Sequence, residues 1–195
     1  MRSFDFATEV IPADELASRV AELGAAINVD YEDRDPLFVV VLKGSFPFAA
    51  DLVRHLDFPA EVDFMLLNRF GEGGRVGIAM DLAEPVFDRD VIIVEDVIDT
   101  GLTLKVLHRM MEDRGAASVA TVGLFDKARR RIADVGIEYR GFEVGDEYLV
   151  GYGLDWKGLY RNLDSVWAFL DNDAFVNNPR ILADALWGES PTPTR

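Results

Sequence analysis

The chain has 195 residues, enough for one sizeable core, and its 49% apolar and 11% aromatic content excludes disorder as the main state. Thirty-five acidic residues against twenty basic ones give a net charge of −15, which repels nucleic-acid backbones and anionic membranes. The absence of cysteine removes disulfides, thiolate metal sites and cysteine nucleophiles, and His55 and His108 alone cannot build a multi-histidine metal site.

An anionic small substrate is still admissible where backbone N–H groups, a few cations or a metal ion supply local positive potential. The opening residues MRSFDFATEVIPADE hold no apolar signal core, and no run approaches the ~18 apolar residues of a membrane span. A cytoplasmic protein that binds neither membrane nor nucleic acid is expected.

Pro12, Asp14 and Glu15 suit a helix start, and Leu16, Val20, Leu23 and Ile27 recur at helical spacing, so 12–28 is read as a helix. Residues 37–42 (LFVVVL) form a continuous apolar run, the pattern of a strand buried on both faces. A turn at Lys43, Gly44 and Ser45 leads into a predicted helix over 46–56, then a strand over 62–67. The glycine-rich stretch 68–77 reads as a loop. Residues 91–94 (VIIV) are the strongest strand and end in Glu95 and Asp96; a helix follows over 102–114, stopped by Gly115. A strand over 119–124, an irregular β-rich stretch over 139–155, a helix over 174–187 and a frayed tail at 190–195 complete the reading.

Strand–helix alternation with doubly apolar strands predicts an α/β fold with a mainly parallel, twisted sheet flanked by helices. In such sheets ligands bind beyond the carboxyl ends of the strands. The chain reads as one domain. Its core spans about 30–130, and a small lobe is assembled from about 1–30 and 130–170. His55 and His108 are expected on the surface, and Trp156, Trp167 and Trp187 in packing roles.

The chemistry concentrates between Val91 and Thr103. A buried strand delivers Glu95 and Asp96 to its end. Val97 and Ile98 then lead to a third carboxylate, Asp99, followed by Thr100, Gly101, Leu102 and Thr103 at a helix N-terminus. Helix N–H groups and the macrodipole make such a turn a phosphate cradle; Gly101 permits close backbone approach, and Thr100 and Thr103 add hydroxyls. Glu95 and Asp96 suit sugar hydroxyls or hydrated Mg²⁺. No G-x-G-x-x-G follows a strand, which removes the dinucleotide-binding alternative.

This segment resembles the phosphoribosyl-pyrophosphate loop of type I phosphoribosyltransferases, and its flanks resemble the hypoxanthine-guanine branch of that family. Leu42-Lys43-Gly44-Ser45 follows the first buried strand, and Phe125-Asp126-Lys127 follows the strand after the phosphate-loop helix. Residues 148–155 (YLVGYGLD) and 160–163 (YRNL) match the branch's C-terminal signature. The likeness covers about residues 10–170.

The resemblance implies a type I phosphoribosyltransferase fold with a small hood lobe. It implies purine salvage: a 6-oxopurine (hypoxanthine, guanine or xanthine) and phosphoribosyl pyrophosphate give a nucleoside monophosphate and pyrophosphate, with Mg²⁺. In that scheme Asp99 is the general base or the partner of the purine N7 proton. Residues 99–103 hold the 5′-phosphate, and Glu95 and Asp96 hold the ribose hydroxyls and the first metal's shell. Lys43 and Gly44, preceded by a non-proline cis peptide, meet the pyrophosphate, which Arg161 clamps. Lys127 reads the oxygen at position 6, Tyr148 stacks on the base, the Leu149 backbone reads its edge, and Asp155 takes a second Mg²⁺. A homodimer or homotetramer is implied. Arg69-Phe70 stands where the branch carries a Ser-Tyr pair in a longer hood loop, so altered lid closure is expected: either a weaker lid or one that uses Arg69 as an electrostatic clamp. A non-catalytic regulator that senses a nucleotide or phosphoribosyl pyrophosphate is the alternative on the same fold.

Overall fold

The computed structural model describes residues 1–70 and 75–188, without the side chains of residues 69, 70, 75 and 76. In chain order its elements are β1 (Ser3–Phe4), β2 (Ala7–Ile11), α1 (Ala13–Asp30), β3 (Leu37–Leu42), α2 (Phe46–Leu52), β4 (Glu61–Phe70) and β5 (Arg75–Met80). These are followed by β6 (Asp90–Ile98), α3 (Leu102–Asp113), β7 (Ser118–Asp126), β8 (Tyr139–Glu143), β9 (Leu149–Val150), β10 (Val166–Phe169), α4 (Asn172–Asn177) and α5 (Ile181–Trp187). The chain forms two compact units, Ala17–Asp146 and Met1–Leu16 with the chain from Glu147 onward. The divisions thus fall inside α1 and ahead of β9, where the sequence put them near 30 and 130.

The larger unit carries a six-stranded sheet in the order β5-β4-β3-β6-β7-β8, parallel throughout except for the β4–β5 hairpin. From β3 the chain steps outward to β4 on one side and later returns to lay β6 on the other. The order therefore reverses between β3 and β6, and a crevice opens at their carboxyl ends, the usual ligand position in such sheets. Leu37, Val39 and Val41 of β3, Val91 and Ile93 of β6, and Leu104, Leu107 and Met111 of α3 share one dry core, which explains the unbroken apolar runs.

The smaller unit is a four-stranded antiparallel sheet, β1-β2-β10-β9, over a second core of Ala7, Val150, Trp167, Phe169, Phe175 and Leu182. Glu9 lies inside β2 with its side chain only 9% exposed, hydrogen-bonded by the Arg2 backbone N–H at 3.0 Å and the Arg2 guanidinium at 3.3 Å.

Several expectations are corrected. Within the stretch read as a loop over 68–77, residues 68–70 and 75–77 are strand: β4 and β5 pair from Leu66↔Met80 to Phe70↔Arg75, and that pairing supplies the hydrogen bonds that a residue such as Gly77 does not favour on its own. Residues 71–74 and the Arg69 side chain, and with it the expected clamp, lie outside the description, as does the tail at 190–195. The helix over 46–56 is shorter, ending at Leu52 in a 3₁₀ turn at Val53–His55. The helix over 174–187 is two helices: Pro179 cannot donate an N–H, and Asn178 before it is extended (φ −131°, ψ 91°). The irregular β-rich stretch over 139–155 holds β8, β9 and a bridge between Gly151 and Leu154, while β1, β2, β5 and β10 went unpredicted.

His108 is not a surface residue. It is half-buried, its Nε2 is 2.7 Å from Thr121 Oγ1, and burial pushes its pKa down. Trp187 is 60% exposed and packs poorly, whereas Trp167 is fully buried.

Burial pushes the Glu9 pKa up, but hydrogen bonds from the Arg2 backbone, Ser165 and the Arg2 side chain outweigh it and hold the carboxyl below its ordinary value. A lowered folded-state pKa contributes stability that is present above the unfolded value and lost as pH falls through the folded one. Urea unfolding should therefore show wild type more stable than Glu9→Gln near neutrality, the gap narrowing as pH falls below about 4.

Candidate active site

The site starts from how β6 ends. Its pairing with β7 continues through Val97↔Phe125 and Ile98↔Asp126, so Glu95, Asp96, Val97 and Ile98 are strand residues, not the loop beyond the 91–94 strand. Period two sends Glu95 and Asp96 to opposite faces. Glu95 is buried and, with Val97, Asp99, Thr100, Gly101 and Thr103, lines a cavity of about 220 Å³.

Asp96 turns to the neighbouring turn after β3. A Cβ built on Gly44 would lie 1.5 Å from Asp96 Oδ2, so only glycine lets carboxylate and turn meet. Ser45 is fully buried and joins the two segments: its hydroxyl donates to the Val41 carbonyl at 2.6 Å and accepts from the Asp96 N–H at 3.1 Å. The peptide between Leu42 and Lys43 is cis, and the Lys43 side chain is exposed at the crevice between β3 and β6.

From Ile98 to Thr100 three successive carbonyls are tied down from one side by residues 127–133. The Lys127 N–H donates to Ile98 O at 2.9 Å, Arg131 Nε to Asp99 O at 3.3 Å, and the N–H groups of Ile132 and Ala133 both to Thr100 O at 3.0 Å. In a trans peptide the N–H points opposite to the C=O, so the N–H groups of Asp99, Thr100 and Gly101 face the other way. That side is the cavity, which no residue of 127–133 lines. Gly101, at φ +78°, carries the turn into α3, and the Leu102 N–H reaches Thr100 Oγ1 at 3.4 Å. Successive N–H groups at a helix N-terminus form an anion-binding concavity.

Lys127 is tied to the residue before Asp99 by the backbone bond from its N–H to Ile98 O. Asp99 Oδ1 is buried without a hydrogen bond among the described residues, although Arg130 Nε lies 3.0 Å away in an ionic contact. Lys127 is itself buried, and its Nζ donates to the Asp146 carbonyl at 3.4 Å.

The remaining predicted residues gather in the smaller unit. Tyr148 stacks on Phe169 (centroids 5.2 Å), meets Trp156 edge-on (5.1 Å) and is 43% exposed. Its hydroxyl donates to the Asp155 carbonyl at 2.9 Å, and burial pushes its pKa up, with the Asp155 charge adding to the rise. Leu149 is buried, paired with Ala168. Asp155 takes Arg161 on one oxygen at 2.6 Å and the Gly158 N–H on the other at 2.6 Å, while Arg161 also donates to Gly153 O at 2.6 Å.

Among the described residues no group of three or more His, Cys, Asp or Glu could hold a metal by itself. Glu95 and Asp96 are hard oxygen donors for an ion that keeps water and substrate ligands, the binding mode Mg²⁺ favours. Sequence reasoning missed Ser45, Asp126, Arg130 and Arg131. The run of three arginines at 129–131, in a chain poor in cations, was the available signal.

The arrangement is one known among solved proteins. A family model described as a phosphoribosyl transferase domain matches residues 8–157. The hypoxanthine-guanine phosphoribosyltransferase of Bacillus subtilis (strain 168) is 43% identical over 167 residues, 84% of this chain and 93% of the relative. That of Streptococcus pneumoniae (strain R6) is 40% identical over 163 residues, 82% and 91% of the two chains. Among solved structures, a hypoxanthine-guanine phosphoribosyltransferase from Bacillus anthracis superposes with TM-score 0.81 at 36% identity, covering 84% of this chain and 98% of that one. A hypoxanthine phosphoribosyltransferase from Staphylococcus aureus gives 0.83 at 35%, covering 88% and 95%. The chain belongs to the phosphoribosyltransferase family, and its fold is the type I fold of these neighbours.

Ser45→Ala leaves the Asp96 N–H without its acceptor in a buried position, which costs about 1–3 kcal/mol in urea unfolding. Gly44→Ala should destabilise further, and less so in an Asp96→Ala background, where the obstructing carboxylate is gone; a double-mutant cycle measures the coupling.

Proposed function

We propose that the protein transfers a phosphoribosyl group from phosphoribosyl pyrophosphate to a 6-oxopurine, releasing pyrophosphate and a nucleoside monophosphate for purine salvage. The observation that carries this reading is the turn of 99–101 at the N-terminus of α3, with its carbonyls tied from one side, Glu95 and Asp99 lining the cavity, and the buried Lys127 bonded through its N–H to Ile98 O. The names of the relatives agree with it, and no observation favours the alternative of a non-catalytic sensor. The net charge of −15 and the lack, among the described residues, of a helix long and apolar enough to cross a membrane support a cytoplasmic enzyme that binds no nucleic acid.

The N–H groups of 99–101, with Thr100, Leu102 and Thr103, hold the 5′-phosphate. Glu95 and Asp96 orient the ribose hydroxyls, and Lys43 and Gly44 receive the pyrophosphate. Lys127 donates to the base oxygen at position 6, and adenine, which carries a donor there, is rejected. Tyr148 and the Leu149 backbone bind the base. As N9 forms its bond to C1′ and the C1′–oxygen bond to pyrophosphate breaks, the proton leaving the base is taken by the Asp99 carboxylate, whose Oδ1 also faces Arg130 Nε at 3.0 Å.

Negative charge develops on the leaving group, so the surrounding cations matter most at that moment. Mg²⁺, when bound at Glu95 and Asp96, supplies charge neutralisation there. Arg161 and Asp155 hold one another; a pyrophosphate competing for Arg161 releases an Asp155 oxygen for a second ion. The two units act as one phosphoribosyltransferase domain, the smaller serving as hood, and the molecule is expected to work as a homodimer or homotetramer.

The test is direct. Protein, Mg²⁺ and phosphoribosyl pyrophosphate are incubated with hypoxanthine, guanine, xanthine or adenine, and nucleotide is measured by chromatography. Product from 6-oxopurines and none from adenine is expected, with loss on chelation; no product from all four overturns the reading. Asp99→Ala should lower kcat by about 10²–10⁴-fold while phosphoribosyl-pyrophosphate binding persists.

A further inference from the structure

The loop 98–101 does not hold its own shape. The carbonyls of Ile98, Asp99 and Thr100 are oriented from behind by 127–133. Within that segment one side chain does three things. Arg131 Nε donates to the Asp99 carbonyl at 3.3 Å. Its terminal Nη2 is bonded to Asp126, at the end of β7. Its alkyl chain fills the space under Gly101, where an added Cβ would lie 2.7 Å from Arg131 Cδ and 3.3 Å from Nε.

The anchor is itself fixed. The Asp126 side chain is 2% exposed, its second oxygen takes Arg140 Nε at 2.9 Å, and its carbonyl accepts from the Val144 N–H at 2.9 Å. A buried carboxylate with two guanidinium partners holds both in fixed geometry, since removing either leaves an uncompensated charge. Arg131 is only 18% exposed, and its planar fork lets one group serve the loop and the anchor together.

We infer that Arg131 is a positioning residue for the anion cradle: anchored on Asp126, it fixes the Asp99–Thr100 peptide so that the Thr100 N–H faces the cavity, and supports Gly101 from beneath. This rests on the reading of 99–103 as the 5′-phosphate site. Arg131 does not line the cavity and touches no substrate; it acts through the orientation of the peptide.

Ribose 5-phosphate and inorganic pyrophosphate, titrated separately by calorimetry, separate the cradle from the Lys43–Gly44 turn. Arg131→Met keeps most of the alkyl packing under Gly101 and removes both polar ties. It should weaken ribose 5-phosphate binding about tenfold or more while pyrophosphate binding stays within about twofold, roughly the loss of one or two charge-assisted hydrogen bonds' worth of orientation. In turnover the same variant should raise KM for phosphoribosyl pyrophosphate far more than KM for the purine.

Arg131→Lys, whose single ammonium serves one acceptor at a time, should recover part of the loss. Asp126→Asn, which keeps the shape and removes the anchoring charge, should reproduce the Arg131→Met pattern more mildly and provides the reading if Arg131→Met does not fold. Wild-type ribose 5-phosphate affinity in both folded variants overturns the inference, as does equal weakening towards both ligands, which would mean a general structural role. Absence of ribose 5-phosphate binding by the wild type overturns the phosphate-site reading itself, and the inference with it.

Discussion

Three carbonyl groups, those of Ile98, Asp99 and Thr100, face away from the cavity because donors on 127–133 hold them there. Peptide planarity converts that constraint into a row of N–H groups on the opposite side. Most of the site follows from this. The cradle needs no lysine or arginine inside it, the helix α3 adds the positive end of its dipole, and the Asp99 side chain is carried to the rim by the same peptide. A protein with fifteen excess negative charges can therefore attract a phosphate locally, since the field at the turn comes from fixed dipoles a few ångströms away and the surface charges are screened.

The same economy governs the join between β3 and β6. Both strands are buried on both faces and cannot offer side chains to solvent until their carboxyl ends, where the reversal of strand order opens the sheet. There Gly44 makes room for Asp96, and Ser45 satisfies a carbonyl of one segment and an N–H of the other. The 43–45 turn and the end of β6 are thus tied together by fixed contacts, and preorganisation of that kind keeps the reorganisation cost of catalysis low.

Cations outside the cradle have divided duties. Arg140 and Arg131 neutralise the buried Asp126, Arg130 stands beside Asp99, and Arg161 is held by Asp155 and the Gly153 carbonyl. Beside the 98–101 loop the guanidinium groups thus make fixed contacts, Arg131 with the Asp99 carbonyl and Asp126 and Arg130 with the Asp99 carboxylate, while Lys43 and Lys127 present single ammonium groups, that of Lys127 donating to the Asp146 carbonyl. The split matches the two side chains' chemistry: a planar fork suits fixed multi-point contacts, and a single ammonium suits a point contact with a phosphate or carbonyl oxygen.

The strongest elements were legible from local pattern alone. LFVVVL at 37–42 and VIIV at 91–94 announced doubly buried strands, and Asp99-Thr100-Gly101 announced the turn into a helix N-terminus, because burial on both faces and helix starts leave short-range signatures. Elements whose stability comes from distant partners were not legible. β5 contains a glycine and exists through its pairing with β4, and β2 buries a glutamate made tolerable by Arg2, Ser165 and the Met1 ammonium. Residues 174–187 carried helical periodicity that hid the break imposed at Pro179.

By itself, then, the order of residues determined which groups reach the strand ends, and so the chemistry on offer. The tertiary structure decided their orientation: which way the carbonyls of 98–100 point, that Asp99 Oδ1 meets Arg130, and that Arg131 serves from behind. Orientation depends on contacts between segments some thirty residues apart, and no local sequence window contains both sides of such a contact.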